Sequence, residues 1–262
     1  MGAKEWPAAL GCKEWRDSRN SQAPRNPTRL NRAIRDFERF LKGIAEHSGA
    51  IIEGFKPGDP AVLPTLTQVL NAYADALRPW ALVTAGKMLE EVNGRDRDSW
   101  RSLSNSISAQ LREDILSAPV GETMRELLER QVGLIQSIPR EAAERVHRLT
   151  LEGLEDSTRA SEIAKEIMAS GSVAKSRATL IARTEVGRTA EVLAETRAKH
   201  VGSEGYIWET AHDGDVRPSH KAMAGKFVHW DSPPTLDNLT GHAGALPNCR
   251  CWPRVILPST PN

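Results

Sequence analysis

Residues 172–200, SVAKSRATLIARTEVGRTAEVLAETRAKH, run directly into residues 201–211, VGSEGYIWETA. The first segment is the longest helical pattern in the chain. Its positions 181, 185, 188 and 192 recur at steps of three and four, which stacks Ile181, Glu185, Arg188 and Val192 on one helix face. After Val201-Gly202 the helical period stops. GYIWETA reads as a strand, and the remaining sequence is made of turn residues, short apolar runs and histidines. This switch sets the expected fold class, α+β, with a mainly helical N-terminal region followed by a small α+β C-terminal module.

Upstream, the helical spacing begins after an arm. Residues 1–27 are rich in Pro, Arg, Asn and Ser and read as an extended segment whose Trp6, Trp15 and Cys12 are available to dock on a partner. Residues 28–170 form the expected helical region. Leu30, Ile34, Phe37, Leu41 and Ile44 share one face, with Thr28 as a cap. Residues 59–94 predict a helical pair or one helix kinked at Pro79, stopping at Asn93-Gly94. A new helix is expected from Asp98, and the one over 120–138 is expected to stop before Pro139. Polar breaks set off 140–157 and 158–170, and residues 171–262 make the C-terminal module. No repeat of fixed period is present.

Composition excludes several classes. The chain has 262 residues, 39% of them hydrophobic, enough for a sizeable core in one large domain or two ordinary ones. Lys+Arg of 35 against Asp+Glu of 34 gives no global signal for nucleic acid or an anionic membrane. No run of about 18 apolar residues occurs, so neither a membrane partner nor a signal peptide is read. Synthesis in the cytoplasm, where thiols stay reduced, argues against a disulfide framework.

Chemistry concentrates at the C-terminal end. Five of the seven histidines and two of the three cysteines lie between His200 and Cys251. Thiolate sulfur and imidazole nitrogen are the ligands zinc prefers, and Cys249-Arg250-Cys251 presents two sulfurs from an extended strand or tight turn. A structural zinc held by His220, Cys249 and Cys251 is therefore one reading, with His242, His229 or His212 as further ligands. Simple packing of two small thiols is the other, because the one-residue gap is shorter than usual zinc spacing. A direct Cys249–Cys251 disulfide would close a very small strained ring.

The stretch WETAHDGDVRPSHKAMAG, 208–225, groups Asp213, Asp215, Arg217 and His220. These residue types suit an acid-base cluster. They suit a structural loop equally well, in which Asp213-Gly214 turns, Asp215 caps and Arg217 pairs with a nearby carboxylate. On the long helix, an inward Glu185 needs a cationic partner, and arginine is the obvious one. No phosphate-cradling glycine loop is present, which argues against an ATP-driven motor.

In order, ARTEV on a helix, W-x-T-A-x-D at Trp208 to Asp213, V-R-x-x-H at Val216 to His220, Gly225 and P-N-C-R-C at 247–251 resemble the phage head morphogenesis family typified by the Mu F protein. The likeness covers about residues 172–257. It implies a minor capsid protein of a tailed phage or prophage: a virion component made in the host cytoplasm, associated with the portal and other capsid proteins, acting in head assembly or DNA packaging, with no enzymatic activity. On the same resemblance, Arg183, Glu185, Trp208, Asp213, Arg217 and His220 hold the module together, and Cys249, Arg250 and Cys251 tie back its last strand. Where many relatives carry His-Pro, this chain has Leu246-Pro247, leaving His242 as the nearest fourth ligand. Residues 171–262 hold 11 Lys+Arg against 9 Asp+Glu, so at most weak, sequence-independent DNA contact is expected. The alternative is a metal-dependent nuclease of the His-Asn-His type built on His220, Asn238 and His242.

Overall fold

The computed structural model describes residues 30–55, 60–102, 109–155 and 160–257. The expected N-terminal arm, with Trp6, Cys12, Trp15 and the cap at Thr28, lies outside the described residues. Seven helices come first: α1 Asn31–Glu53, α2 Leu63–Ala76, α3 Arg78–Ser102, α4 Ala109–Ser117, α5 Gly121–Glu155, α6 Ala160–Met168 and α7 Ser170–His200. Then follow β1 Gly205–Thr210, α8 Pro218–Lys221, β2 Phe227–His229, β3 Thr235–Leu236, β4 Leu239–Thr240 and β5 Cys251–Val255. The α+β class read from the sequence is the class observed.

The bundle forms because the apolar stripes face one another. Phe37, Leu41 and Ile44 of α1 meet Ala81, Ala85 and Leu89 of α3, Val132 and Ile135 of α5, and Ala178, Ile181 and Val186 of α7 in one core. Each fully buried large side chain of this kind contributes about 1.5–3 kcal/mol. A second core joins Leu66 and Leu70 of α2 to Ala143 and Val146 of α5 and Ile167 of α6. No helix among the described residues is long and apolar enough to cross a membrane.

Three local expectations are corrected. The pair α2–α3 breaks at Leu77, but α3 runs through Asn93-Gly94 to Ser102. Asp98 therefore sits inside a helix, paired with Arg101 at 3.3 Å, and starts none. Packing overrides the stop signal, because Val92, Asp96 and Trp100 on that last stretch are all buried. α5 likewise passes through Pro139 and is longer than α7, 35 residues against 31. Proline there deprives Ile135 of its helical donor. Ile135, Ile138, Ala142 and Val146 nevertheless make one buried stripe across it, and both halves stay docked.

α7 serves two bodies of structure. Its first two thirds complete the bundle core. Its end is closed by Gly202 at φ +80, with Gly202 N–H donating to the Lys199 carbonyl and Ser203 N–H to the Ala198 carbonyl. This left-handed cap turns the chain from helix into β1. The sheet is antiparallel in the order β2-β1-β5, with Thr210 opposite Cys251, Trp208 opposite Pro253 and Tyr206 opposite Val255. Pro253 is tolerated because β5 is an edge. The sequence reading missed the hairpin β3–β4, whose two-residue turn places Asp237 and Asn238 at φ 52 and 64. That is the backbone a tight hairpin needs, and Asp-Asn tolerates it.

The module's core also recruits Trp100 of α3 and Ile115 of α4, packed with Tyr206, Trp208, Trp230 and Cys251. The C-terminal strands are thus built onto the helices.

Candidate functional site

The loop before β5 is where the separated motifs meet. Arg188 of α7 donates to the Ala245 carbonyl at 2.8 Å, and Arg217 donates to the Pro247 carbonyl at 2.8 Å. The Asn248 N–H donates to Thr184 Oγ1 at 3.2 Å. Three side chains from two remote segments thereby hold three of the four loop residues 245–248. The close approach requires Gly187, where an added Cβ would lie 3.1 Å from the Gly244 carbonyl oxygen. Gly244 itself has φ +99, and Asn248 has φ 52, both in the left-handed region.

Strand alternation then sorts the Cys-Arg-Cys segment. Cys251 enters the buried face of the sheet beside Trp208, whereas Arg250 points outward and pairs with Asp213 at 2.7 Å and Asp215 at 2.6 Å. The expected pairing of Arg217 with a carboxylate is corrected, since Arg250 takes both aspartates and Arg217 holds a carbonyl. Asp215 does not cap α8. Arg217 occupies the cap position with no side-chain bond, and the Asp213 carboxylate accepts from the Asp215 N–H at 3.1 Å.

His220, on α8, is 2% exposed and turned inward. Its Nδ1 lies 3.4 Å from the Cys249 sulfur and 3.5 Å from that of Cys251. Its Nε2 is buried without a hydrogen-bond partner among the described residues. The Trp208 ring stands perpendicular to it, with centroids 5.7 Å apart. The acid-base grouping of Asp213, Asp215, Arg217 and His220 is therefore not assembled, because the aspartates face Arg250 and His220 faces the thiols. The Cys251 hydrogen bond, helped by His220 and two backbone N–H groups, holds the Cys249 thiol at about 4 against the opposing effect of burial. Cys251 is pushed up by the same bond and by burial.

Glu185 is 3% exposed and points inward, as its helical phase implies. Its principal partner was not visible in the sequence: Arg130 of α5 makes a two-pronged pair at 3.0 and 3.1 Å, and Gln131 donates at 2.9 Å. Arg188 approaches at 3.6 Å. The hydrogen bond to Glu185 raises the Arg130 pKa. Arg183 is exposed and borders a cavity of about 260 Å³ between α1, α3, α7 and β5, whose lining includes Glu191, Cys249, Cys251 and Trp252.

His242 is not a fourth ligand beside the thiols. Its Nδ1 meets the Tyr206 hydroxyl at 3.1 Å and its Nε2 meets the Trp230 carbonyl at 3.0 Å. Because the Trp230 carbonyl can only accept, Nε2 carries the hydrogen and donates to it, which leaves Nδ1 to accept from the Tyr206 hydroxyl, whose oxygen in turn accepts from the Ala243 N–H. Both ring nitrogens are used, and the nuclease triad of His220, Asn238 and His242 is not formed. His212 lies 3.4 Å from Thr210 Oγ1, and His229 is exposed beside Phe227.

The sequence reading missed Thr184, Gly187, Arg130 and Gln131. Thr184 and Gly187 carry a signal in retrospect, since they fall on the face shared with Arg188. Arg130 and Gln131 carry none, because nothing local indicates which α5 residues reach α7.

The family model described as Phage Mu protein F like protein matches residues 144–253. The Mu F-like resemblance, read from the motifs over about 172–257, holds as far as residue 253, and the match extends it upstream into α5. A protein of Haemophilus influenzae described as uncharacterized is 26% identical over 157 residues, covering 60% of this chain and 34% of the relative. The chain spans about a third of the length of that curated relative. No solved structure matches.

Proposed function

We propose that this protein, through its Mu F-like segment, is a minor component of the head of a tailed phage or prophage, present in few copies at the portal vertex and acting in head assembly or DNA packaging. The Mu F-like match indicates phage head morphogenesis, with capsid proteins as partners. The observation that carries the reading is the loop at 245–248: the motifs that define the resemblance, spread from ARTEV to P-N-C-R-C, converge on it through Thr184 and Arg217, with Arg188 of the same helix beside them. A segment whose diagnostic residues hold its own backbone is built to be rigid, which suits a part of an assembly.

The non-enzymatic character follows the same line. The polar motif residues are used in structural contacts: Arg250 with two aspartates, Glu185 with Arg130, and His242 with Tyr206 and Trp230. Quantitative mass spectrometry of purified heads tests the proposal. It should find the protein in few copies per particle, lost from particles assembled without the portal. Absence from heads, or a copy number matching the major shell protein, would overturn the portal-vertex reading.

A further inference from the structure

We propose that His220 Nδ1 and the sulfurs of Cys249 and Cys251 hold a zinc ion, with the fourth position taken by water. The inference stands on the geometry of these three groups and is independent of the role in head assembly.

The three donor atoms lie within 4.8 Å of one another. In a tetrahedral site, Zn–S bonds of about 2.3 Å and a Zn–N bond of about 2.05 Å set each sulfur about 3.5 Å from the nitrogen. The observed separations are 3.4 and 3.5 Å. Hydrogen bonding alone accounts poorly for both, because a neutral imidazole nitrogen offers one lone pair or one hydrogen and satisfies one sulfur well. Two sulfurs at one nitrogen are what a shared ion produces.

The segments around the donors are fixed before any ion arrives. Cys251 is set by its register opposite Thr210, Cys249 by the loop that Thr184 and Arg217 grip, and His220 by the short helix that starts at Pro218 beside Arg217. A preorganised site of two sulfurs and one imidazole selects a soft or borderline ion over magnesium or calcium. Zinc binds both cysteines as thiolates, with any remaining thiol proton lost to solvent, and two thiolates with one Zn²⁺ leave no net charge in the buried core. The one-residue gap of Cys-x-Cys is no obstacle, since the loop carries Cys249 around at Asn248 and lets both sulfurs face His220. With His242 used elsewhere, the water enters from the cavity that both cysteines line.

The test uses the full chain, purified reduced without a histidine tag or chelator. Metal analysis should find about one equivalent of zinc. Co²⁺ added to the metal-free chain should give a sulfur-to-cobalt charge-transfer band and the intense visible bands of a tetrahedral site. Cys251→Ser should lower Co²⁺ affinity by at least about a hundredfold, more than the loss of a hydrogen bond to a ligand would cause. His220→Cys, which supplies a third thiolate, should keep the ion and strengthen the charge-transfer band, and it separates loss of a ligand from loss of fold. Zinc near zero together with no charge-transfer band would overturn the site. An unchanged band in His220→Cys would remove His220 from it.

Discussion

His242 shows how one buried side chain ties the strands together and makes them sensitive to acid. Its ring bridges Tyr206 on β1 to the carbonyl of Trp230 just after β2, and the tautomer is set by that carbonyl, which can only accept from Nε2–H. Burial lowers its pKa below the ordinary 6.5, opposed by the charge of Glu195, the bond to Trp230 and the charge of Asp231, and assisted by the charge of Lys199. The native state therefore resists a proton that the unfolded chain accepts near pH 6.5. By linkage, stability from this residue is complete above that pH, falls as the pH drops towards the lower native value, and levels off below it. Urea unfolding followed across this window should show the midpoint falling with acid, and His242→Gln should flatten that limb. An equal slope in the variant would show that other groups carry it. The sequence identified His242 as polar and site-adjacent, yet its partners come from β1 and from the residue after β2, so its role became legible only once the register was known. Cys249 and Cys251 differ in this respect, because their residue types and strand alternation already indicated two sulfurs available to one ligand.

At the scale of elements, the continuation of α3 past Asn93-Gly94 has a specific cause. Arg197 of α7 and Asp96 of α3 form a buried ion pair, and Arg197 also donates to Asn93 Oδ1 at 2.7 Å. Two turns of α3 that local signals would end are held helical because they supply this pair and Trp100 to the module. Asp96→Ala leaves a guanidinium at 1% exposure without its carboxylate, so a loss of about 3–5 kcal/mol is expected. The double replacement Asp96→Leu with Arg197→Leu should cost less than the sum of the single changes, because neither charge is then stranded. Denaturant midpoints measure both, and a single-variant cost under about 1 kcal/mol would mean that the pair does not hold α3 to α7. The same contrast explains what could be read beforehand. Apolar periodicity revealed α1, α2 and α7, and the run GYIWETA revealed β1, since these depend on local pattern. The run through Pro139, the extension of α3 and the recruitment of Trp100 and Ile115 depend on partners far away in the chain.

For the molecule as a whole, charge distribution decides how the chain would meet a packaged genome in the proposed role. The net charge is +1, and many cations of the C-terminal half are engaged: Arg250 with Asp213 and Asp215, Arg254 with Glu209, Lys199 with Glu195 and Asp231, and Arg197 with Asp96. Tracking a duplex requires cations free to replace counterions, and affinity falls steeply with salt in proportion to the phosphates neutralised. A surface whose arginines already face carboxylates gains little from DNA, because each contact must first break an internal pair. Non-specific binding is expected to be detectable at about 50 mM salt and largely lost by about 150 mM, without preference between duplexes of different sequence. Fluorescence anisotropy on the purified chain over that range measures it. Tight binding retained at physiological salt would show an uncompensated cationic surface, and the partner that positions the protein would then be the genome itself. Weak, salt-sensitive binding would leave the proposed placement in a head to contacts with other proteins, in keeping with a Mu F-like segment joined to a helical bundle.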